Sequence, residues 1–212
     1  MFTLTNTAAW KAYWFWSFWV GITFFAVYPT CNLLTAKRST TYPLYMNSEL
    51  TIPLVPEFFW AYISMYILFL LPPFFLVVPQ LARLGKQLIA STLVSGVIFL
   101  LLPAELGFER ISPESPLYAG IFSGLFTIDL PHNLVPSLHV IFTSLIIFSL
   151  LEVPLTKYLK YVLWGWLTLI CISTLLIHQH HILDIIIGLL IAIFFRKYYK
   201  AVEKDNAGEN NA

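Results

Sequence analysis

Residues 173–184 read Ser-Thr-Leu-Leu-Ile-His-Gln-His-His-Ile-Leu-Asp, and their surroundings decide the fold. Three of the five histidines lie in this stretch, and an acid closes it. Apolar runs flank it on both sides, at 163–177 and 185–195. In a bilayer an ionisable cluster at the end of an apolar run is costly, so it is retained where it has a function. A second stretch, Pro136-Ser137-Leu138-His139, also opens an apolar run. The two segments are expected to meet in one site, held at one face of a membrane by the rest of the chain.

Composition agrees. Of 212 residues, 58% are hydrophobic and 11% charged, against about 25% charged in a soluble domain. A spanning helix needs about 20 mostly apolar residues, and several such runs are present. The expected fold is all-α: a single polytopic membrane domain over 1–212 with six transmembrane helices. The net charge of +1 gives no sign of a nucleic-acid partner. Cys31 and Cys171 fall in different contexts and predict no disulfide.

Along the chain, 1–11 reads as a short polar segment. The first span, about 12–28, carries Tyr13, Trp14, Phe15, Trp16, Phe18 and Trp19. Such aromatics favour the membrane interface, and the run is long enough to be a retained span rather than a cleaved leader. A proline-punctuated loop, 29–57, follows. The second span, 58–78, carries Pro72-Pro73, which should kink or interrupt it. A short loop with Arg83 and Lys86 leads to a third span at 87–102. Residues 103–137 are the longest non-spanning segment. The apolar stretch 117–130 inside the region 104–137 is expected to be an extra interfacial or re-entrant helix. The fourth span runs from 138 to about 151, the fifth over about 161–177 and the sixth over about 182–195. The tail, 197–212, reads as polar, cytoplasmic and disordered at its end.

Basic residues set the orientation. With the N-terminus inside, Lys11, Arg83, Lys86, Lys157, Lys160, Arg196, Lys197, Lys200 and Lys204 fall in inner segments, and Lys37, Arg38 and Arg110 in outer ones. Both termini are therefore expected in the cytoplasm. All five histidines then gather on the periplasmic or extracytoplasmic face, in a membrane expected to be a bacterial inner membrane.

The chemistry follows from spacing. His180 and Asp184 are four apart and share one helical face. An Asp that accepts a histidine N–H fixes the tautomer and raises the basicity of the ring, presenting the other nitrogen as nucleophile or base. His139, opposite, is placed to protonate a leaving oxygen. Phosphoryl transfer suits such a pair, given donors for the equatorial oxygens. Ser137, opening the fourth helix, offers an anion-binding helix N-terminus. Arg110, the sole cation of its loop, is the candidate phosphate clamp. His181 pairs with Asp184 at i,i+3, so spacing alone does not choose between the two histidines. His178, His180 and Asp184 form an alternative metal-ligand set. His132 and His178 otherwise read as interfacial or supporting groups.

Pro-Ser-Leu-His at 136–139 resembles the second signature of the type 2 phosphatidic acid phosphatase superfamily, usually Pro-Ser-Gly-His. Ser173 with His180-x-x-x-Asp184, followed by Gly188, resembles its third signature. The resemblance implies His180 as nucleophile, His139 as general acid, Asp184 as the group orienting the nucleophile, and neither cofactor nor metal. Thr174 stands where the third signature has Arg, and the first signature has no clean counterpart. Leu138 in place of Gly, and His-His at 180–181, look more like the branch containing inositol phosphorylceramide synthases. The implied activity is hydrolysis of an amphiphilic lipid phosphate or diphosphate through a phosphohistidine. The alternatives are a lipid phosphotransferase moving a phospho-headgroup to an alcohol and, in another class, a histidine-ligated metal or haem membrane protein. Lipid chain type and oligomeric state have no signature in the sequence.

Overall fold

The computed structural model describes residues 6–129 and 131–209, the last six by backbone alone. It is all-helical, as expected for a polytopic membrane protein. Three of its helices, Thr7–Thr35, Val78–Leu101 and Lys157–Leu176, are long and apolar enough to cross a membrane.

Helix α1 (Thr7–Thr35) is capped by Asn6, whose Oδ1 accepts the Ala9 N–H at 3.1 Å. The expected polar segment 1–11 is thus corrected: from Thr7 onward it is helical, and residues 1–5 lie outside the described residues. Trp14, Phe18 and Phe25 point outward and are more than half exposed, a lipid-facing pattern. The opposite side of α1 packs on α5 (Val78–Leu101). Two glycines allow that approach. A Cβ at Gly85 would stand 2.6 Å from the Trp16 ring, and one at Gly96 would collide with Val27.

The second span is broken into α2 (Phe59–Ile63), α3 (Met65–Leu70) and α4 (Pro72–Phe75). Pro72 and Pro73 lack the N–H that would continue α3. The break at Ser64 is satisfied locally, with Ser64 Oγ donating to the Ala61 carbonyl and accepting from Trp166 Nε1 at 2.8 Å.

The structure corrects the loop assigned to Arg83 and Lys86, because α5 already begins at Val78. Leu81, Leu84 and Leu88 form one continuous buried stripe there. The charge of Arg83 is carried by Glu152 and by Glu203, at 2.6 Å from the latter. The charged tail is likewise corrected. Helix α9 (Ile182–Glu209) runs on past Phe195, with Lys200 Nζ 2.7 Å and Arg196 Nε 3.3 Å from Glu152. Residues 210–212 lie outside the described residues.

Helix α6 (Pro116–Ile128) has 13 residues, about 20 Å, too short to cross a bilayer core of about 30 Å. Helix α7 (Leu138–Leu150) is buried from Val140 to its end, as befits a helix apolar all round. It sits at the centre, against α3, α5, α8 (Lys157–Leu176) and α9. The connecting segments at the α7 N-terminal end bind one another. Tyr42 N–H donates to Pro103, Glu105 N–H to Tyr42 and Ala104 N–H to His132, while Val55 N–H donates to Leu176. Cys31 and Cys171 are free thiols.

Candidate active site

The site is built where α7 begins against the start of α9. Ser137 is the N-cap of α7, its Oγ accepting the Val140 N–H at 3.4 Å. Its own N–H donates to the Asp184 carbonyl at 3.1 Å, joining the two helices by main chain. Gly188 permits this: a Cβ there would lie 3.0 Å from the Ser137 carbonyl oxygen and 3.2 Å from Val140. Ser137, fully buried, is thus engaged on both sides in the joint.

His180 follows a tight turn in which the N–H groups of Gln179 and His180 both donate to the Thr174 carbonyl at 3.0 Å. The Thr174 carbonyl therefore sets the turn that presents His180. His180 Nδ1 lies 3.1 Å from Asp184 Oδ2. A carboxylate there selects the Nδ1–H tautomer, which leaves Nε2 with its lone pair. Asp184 Oδ2 also accepts the His181 N–H at 2.8 Å, so the carboxylate is fixed from two sides.

The structure separates the two adjacent histidines. His181 Nε2 accepts the Gly107 N–H at 3.1 Å, which places the ring proton on Nδ1, 3.2 Å from Glu49 Oε2. Both nitrogens of His181 are thereby occupied. Its ring lies between Tyr45 and Phe108, at 4.7 and 4.5 Å between centroids. Glu49 Oε2 also accepts the Ile182 N–H at 2.8 Å, capping α9 from a distant loop. Burial pushes the Glu49 carboxyl up, but the Ile182 and Met46 amides and His181 hold it below the usual carboxylate range. Burial lowers the His181 imidazole, outweighing the raising influence of Asp184 and Glu49. His178, at φ 57, turns its Nε2 onto the Ile52 carbonyl at 3.0 Å and stacks on Phe108. The set His178, His180 and Asp184 is therefore not brought together. Among the described residues no group of three or more His, Cys, Asp or Glu side chains could hold a metal ion.

His139 stands 6.2 Å from His180 between ring centroids. It stacks on Tyr62 at 4.1 Å, with Nδ1 3.3 Å from the Tyr62 hydroxyl. Both histidines open into a cavity of about 1010 Å³, at the upper end of small-molecule pockets. The cavity descends between α1, α3, α5 and α7, from Tyr28 past Phe24 and Trp16 to Tyr13 and Leu81. From Tyr28 to Tyr13 the lining runs about 22 Å along α1, at 1.5 Å per residue.

Arg110 is not among the cavity-lining residues. Its terminal amino groups donate to the Phe126 and Asp129 carbonyls at 3.0 and 2.5 Å, closing the C-terminal end of α6. Its Nε is buried without a partner. Burial lowers the guanidinium, partly offset by Asp129.

Sequence reasoning missed Glu49, Tyr28, Tyr62 and Asp129. Asp129 lines the cavity beside His180 and accepts a short hydrogen bond from the Tyr28 hydroxyl. A signal existed for it: Asp129 is the sole acid between Glu114 and Glu152. Glu49 has no such signal, since more than a hundred residues separate it from His181.

The architecture defines a polytopic helical membrane protein with a His–His–Asp site at one end of its bundle. Residues 111–195, from just before α6 into α9, match the family model of the PAP2 superfamily, and this likeness supports a phosphatase- or phosphotransferase-type function. No curated protein matches the chain.

Proposed function

We propose that the protein moves the phosphoryl unit of an amphiphilic lipid phosphate through a covalent phosphohistidine at His180. The observation that carries this reading is His180, its Nδ1 held by Asp184 and its ring 6.2 Å from that of His139, with both histidines lining one apolar cavity. In the first half-reaction Nε2 attacks phosphorus and the P–N bond forms. The P–O bond to the lipid breaks, and His139 protonates the departing oxygen. In the second, His139 takes a proton from water, whose oxygen attacks phosphorus and releases the His180 electron pair. That sequence is a phosphatase. The acyl or prenyl chain occupies the cavity, whose wall includes Ile121 and Leu125 of α6.

A second reading, transfer to an alcohol, is favoured by the cavity itself. Its wall is overwhelmingly apolar and carries no Lys or Arg, a setting better suited to a lipid hydroxyl than to bulk water.

The site lies on the non-cytoplasmic face in this reading. Arg83, Arg196 and Lys200 gather on Glu152 at the C-terminal end of α7, opposite His139, and basic residues favour the cytoplasmic side.

The test is turnover of a panel of lipid phosphates by wild type and His180→Ala in detergent, with and without EDTA, following free phosphate and lipid products. EDTA-resistant phosphate release, or headgroup exchange, that vanishes in the variant supports the proposal and chooses between its branches. Activity unaffected by His180→Ala would remove it.

A further inference from the structure

The cavity that His180 and His139 line has a long axis, and that axis follows α1. Tyr28, Phe24, Gly21, Ser17 and Tyr13 line it in turn, at the three- and four-residue steps that keep side chains on one helical face. Phe142 of α7 and Phe69 of α3 also line it. A hydrogen bond ties α1 to its surroundings at each end. At the end nearest the histidines the Tyr28 hydroxyl donates to Asp129. At the far end the Tyr13 hydroxyl donates to the Phe69 carbonyl at 3.0 Å and joins α1 to α3.

Halfway between the two ties, α1 presents no side chain. A Cβ added at Gly21 would meet no heavy atom within 4 Å. Gly85 and Gly96 of α5 behave differently, since a Cβ at either would collide with a side chain of α1. Helix packing therefore does not require Gly21, although glycine inside a helix is disfavoured relative to alanine. What its missing side chain leaves open is the cavity. Gly21 stands about 10 Å along α1 from Tyr28 and about 12 Å from Tyr13, at 1.5 Å per residue. A staggered alkyl chain advances about 1.3 Å per carbon, from single bonds of about 1.5 Å. Counted from the level of Tyr28, about eight carbons reach Gly21 and about 17 reach the Tyr13 tie.

We infer that Gly21 is a specificity-determining position, which keeps the cavity passable at mid-depth so that the ligand is a lipid phosphate with a linear chain of about 16 carbons, its end stopped at the Tyr13–Phe69 bond. This rests on the reading in which the chain of the His180 substrate occupies the cavity, and it deepens that reading by fixing the length of the chain and the residues that measure it. A larger residue at 21 takes the space of every carbon beyond about the eighth. A smaller residue at 13 removes the stop.

The experiment is isothermal titration of full-length His180→Ala protein in maltoside micelles, where turnover does not intervene. The probes are octyl, hexadecyl and icosyl phosphate. Partition of each probe into the micelle is common to all variants, so it cancels when ratios of affinity are compared between them. Adding Gly21→Phe is expected to lower the hexadecyl-to-octyl ratio about tenfold, and Gly21→Leu to lower it by less. Gly165→Leu is the control, because a Cβ there also meets nothing within 4 Å but Gly165 lies on α8, outside the cavity lining. It should leave the ratio where it was. Tyr13→Ala should raise the icosyl-to-hexadecyl ratio. A hexadecyl-to-octyl ratio unmoved by Gly21→Phe, an equal loss of both lengths, or an icosyl-to-hexadecyl ratio unmoved by Tyr13→Ala would overturn the inference. Because binding is read without turnover, a failed length ratio leaves the His180 chemistry standing, and a failed His180 chemistry leaves the ratio measurable.

Discussion

The Ser137 N–H donates to the Asp184 carbonyl oxygen at 3.1 Å, so the two signature segments are joined by their backbones before any side chain is considered. His139 and His180 are each one short step from that joint. Their separation is set by how closely α7 and α9 approach, and the missing side chain of Gly188 permits that approach.

Gly188→Ala tests this coupling. Its new Cβ would meet the Ser137 carbonyl and the Val140 side chain at 3.0–3.3 Å, contacts the backbone must relieve. Overpacking of this kind costs about 1–3 kcal/mol. The expected result is a fall of at least tenfold in kcat, with KM changing less and a lower midpoint of thermal unfolding. An unchanged kcat would show that the joint does not set the catalytic spacing.

Glu49 serves α9 and His181 at once. Glu49→Ala removes the Ile182 cap and leaves the buried His181 Nδ1–H without an acceptor. A loss of about 2–4 kcal/mol is expected, the combined scale of a lost cap and an unsatisfied buried donor. Glu49→Gln keeps an acceptor oxygen and should lose less. Unfolding in a denaturing-detergent titration measures both.

Acid should loosen the same cap. The imidazoles of His178 and His181 are both lowered, chiefly by burial. The unfolded chain therefore takes up protons first as pH falls through about 6.5. Stability from these groups is fully present above that value and is lost as pH falls through the folded values. Protonation of His181 Nε2 would turn a donor toward the Gly107 N–H, although Glu49, Asp184, His178 and His180 stand around it. The protection factor of the Gly107 amide, corrected for the intrinsic pH dependence of exchange, should fall as pH drops below that value and stay high at pH 8, and a His181→Asn variant should lose that dependence. Equal protection at both pH values would contradict this reading.

The far end of the bundle gives a separate test. Glu152 binds Arg83, Arg196 and Lys200. Glu152→Ala should release the C-terminal part of α9, seen as faster proteolysis after Arg196, at a cost of about 2 kcal/mol for hydrogen bonds between charged groups. Activity should change less than for Gly188→Ala.

Much of this was legible in the sequence, because the strongest signals are local. Ser137 before an apolar run marks the start of α7, and His180 pairs with Asp184 as read, although His180 lies in the turn before α9 and not on the helical face that the spacing suggested. Pro72-Pro73 announced the break that separates α3 from α4. Helix ends governed by distant charges were not legible. Arg83 and Lys86 read as a loop, and residues 196–209 as a tail, because their compensation comes from Glu152 in another part of the chain. The choice between His180 and His181 was likewise closed to spacing, since Glu49 and the Gly107 amide occupy His181 from two other loops. Asp129 was visible as an isolated acid, but its pairing with Tyr28 spans about a hundred residues and leaves no periodic trace.

The most direct test is to trap the covalent intermediate. Wild type is mixed with radiolabelled lipid phosphate, quenched in alkali, where phosphohistidine survives, and mapped by peptide mass spectrometry. The account predicts label on His180, its loss on brief acid treatment, and two to four orders of magnitude less label in Asp184→Asn. Label on His181 or His139, or steady turnover with no labelled histidine, would contradict it.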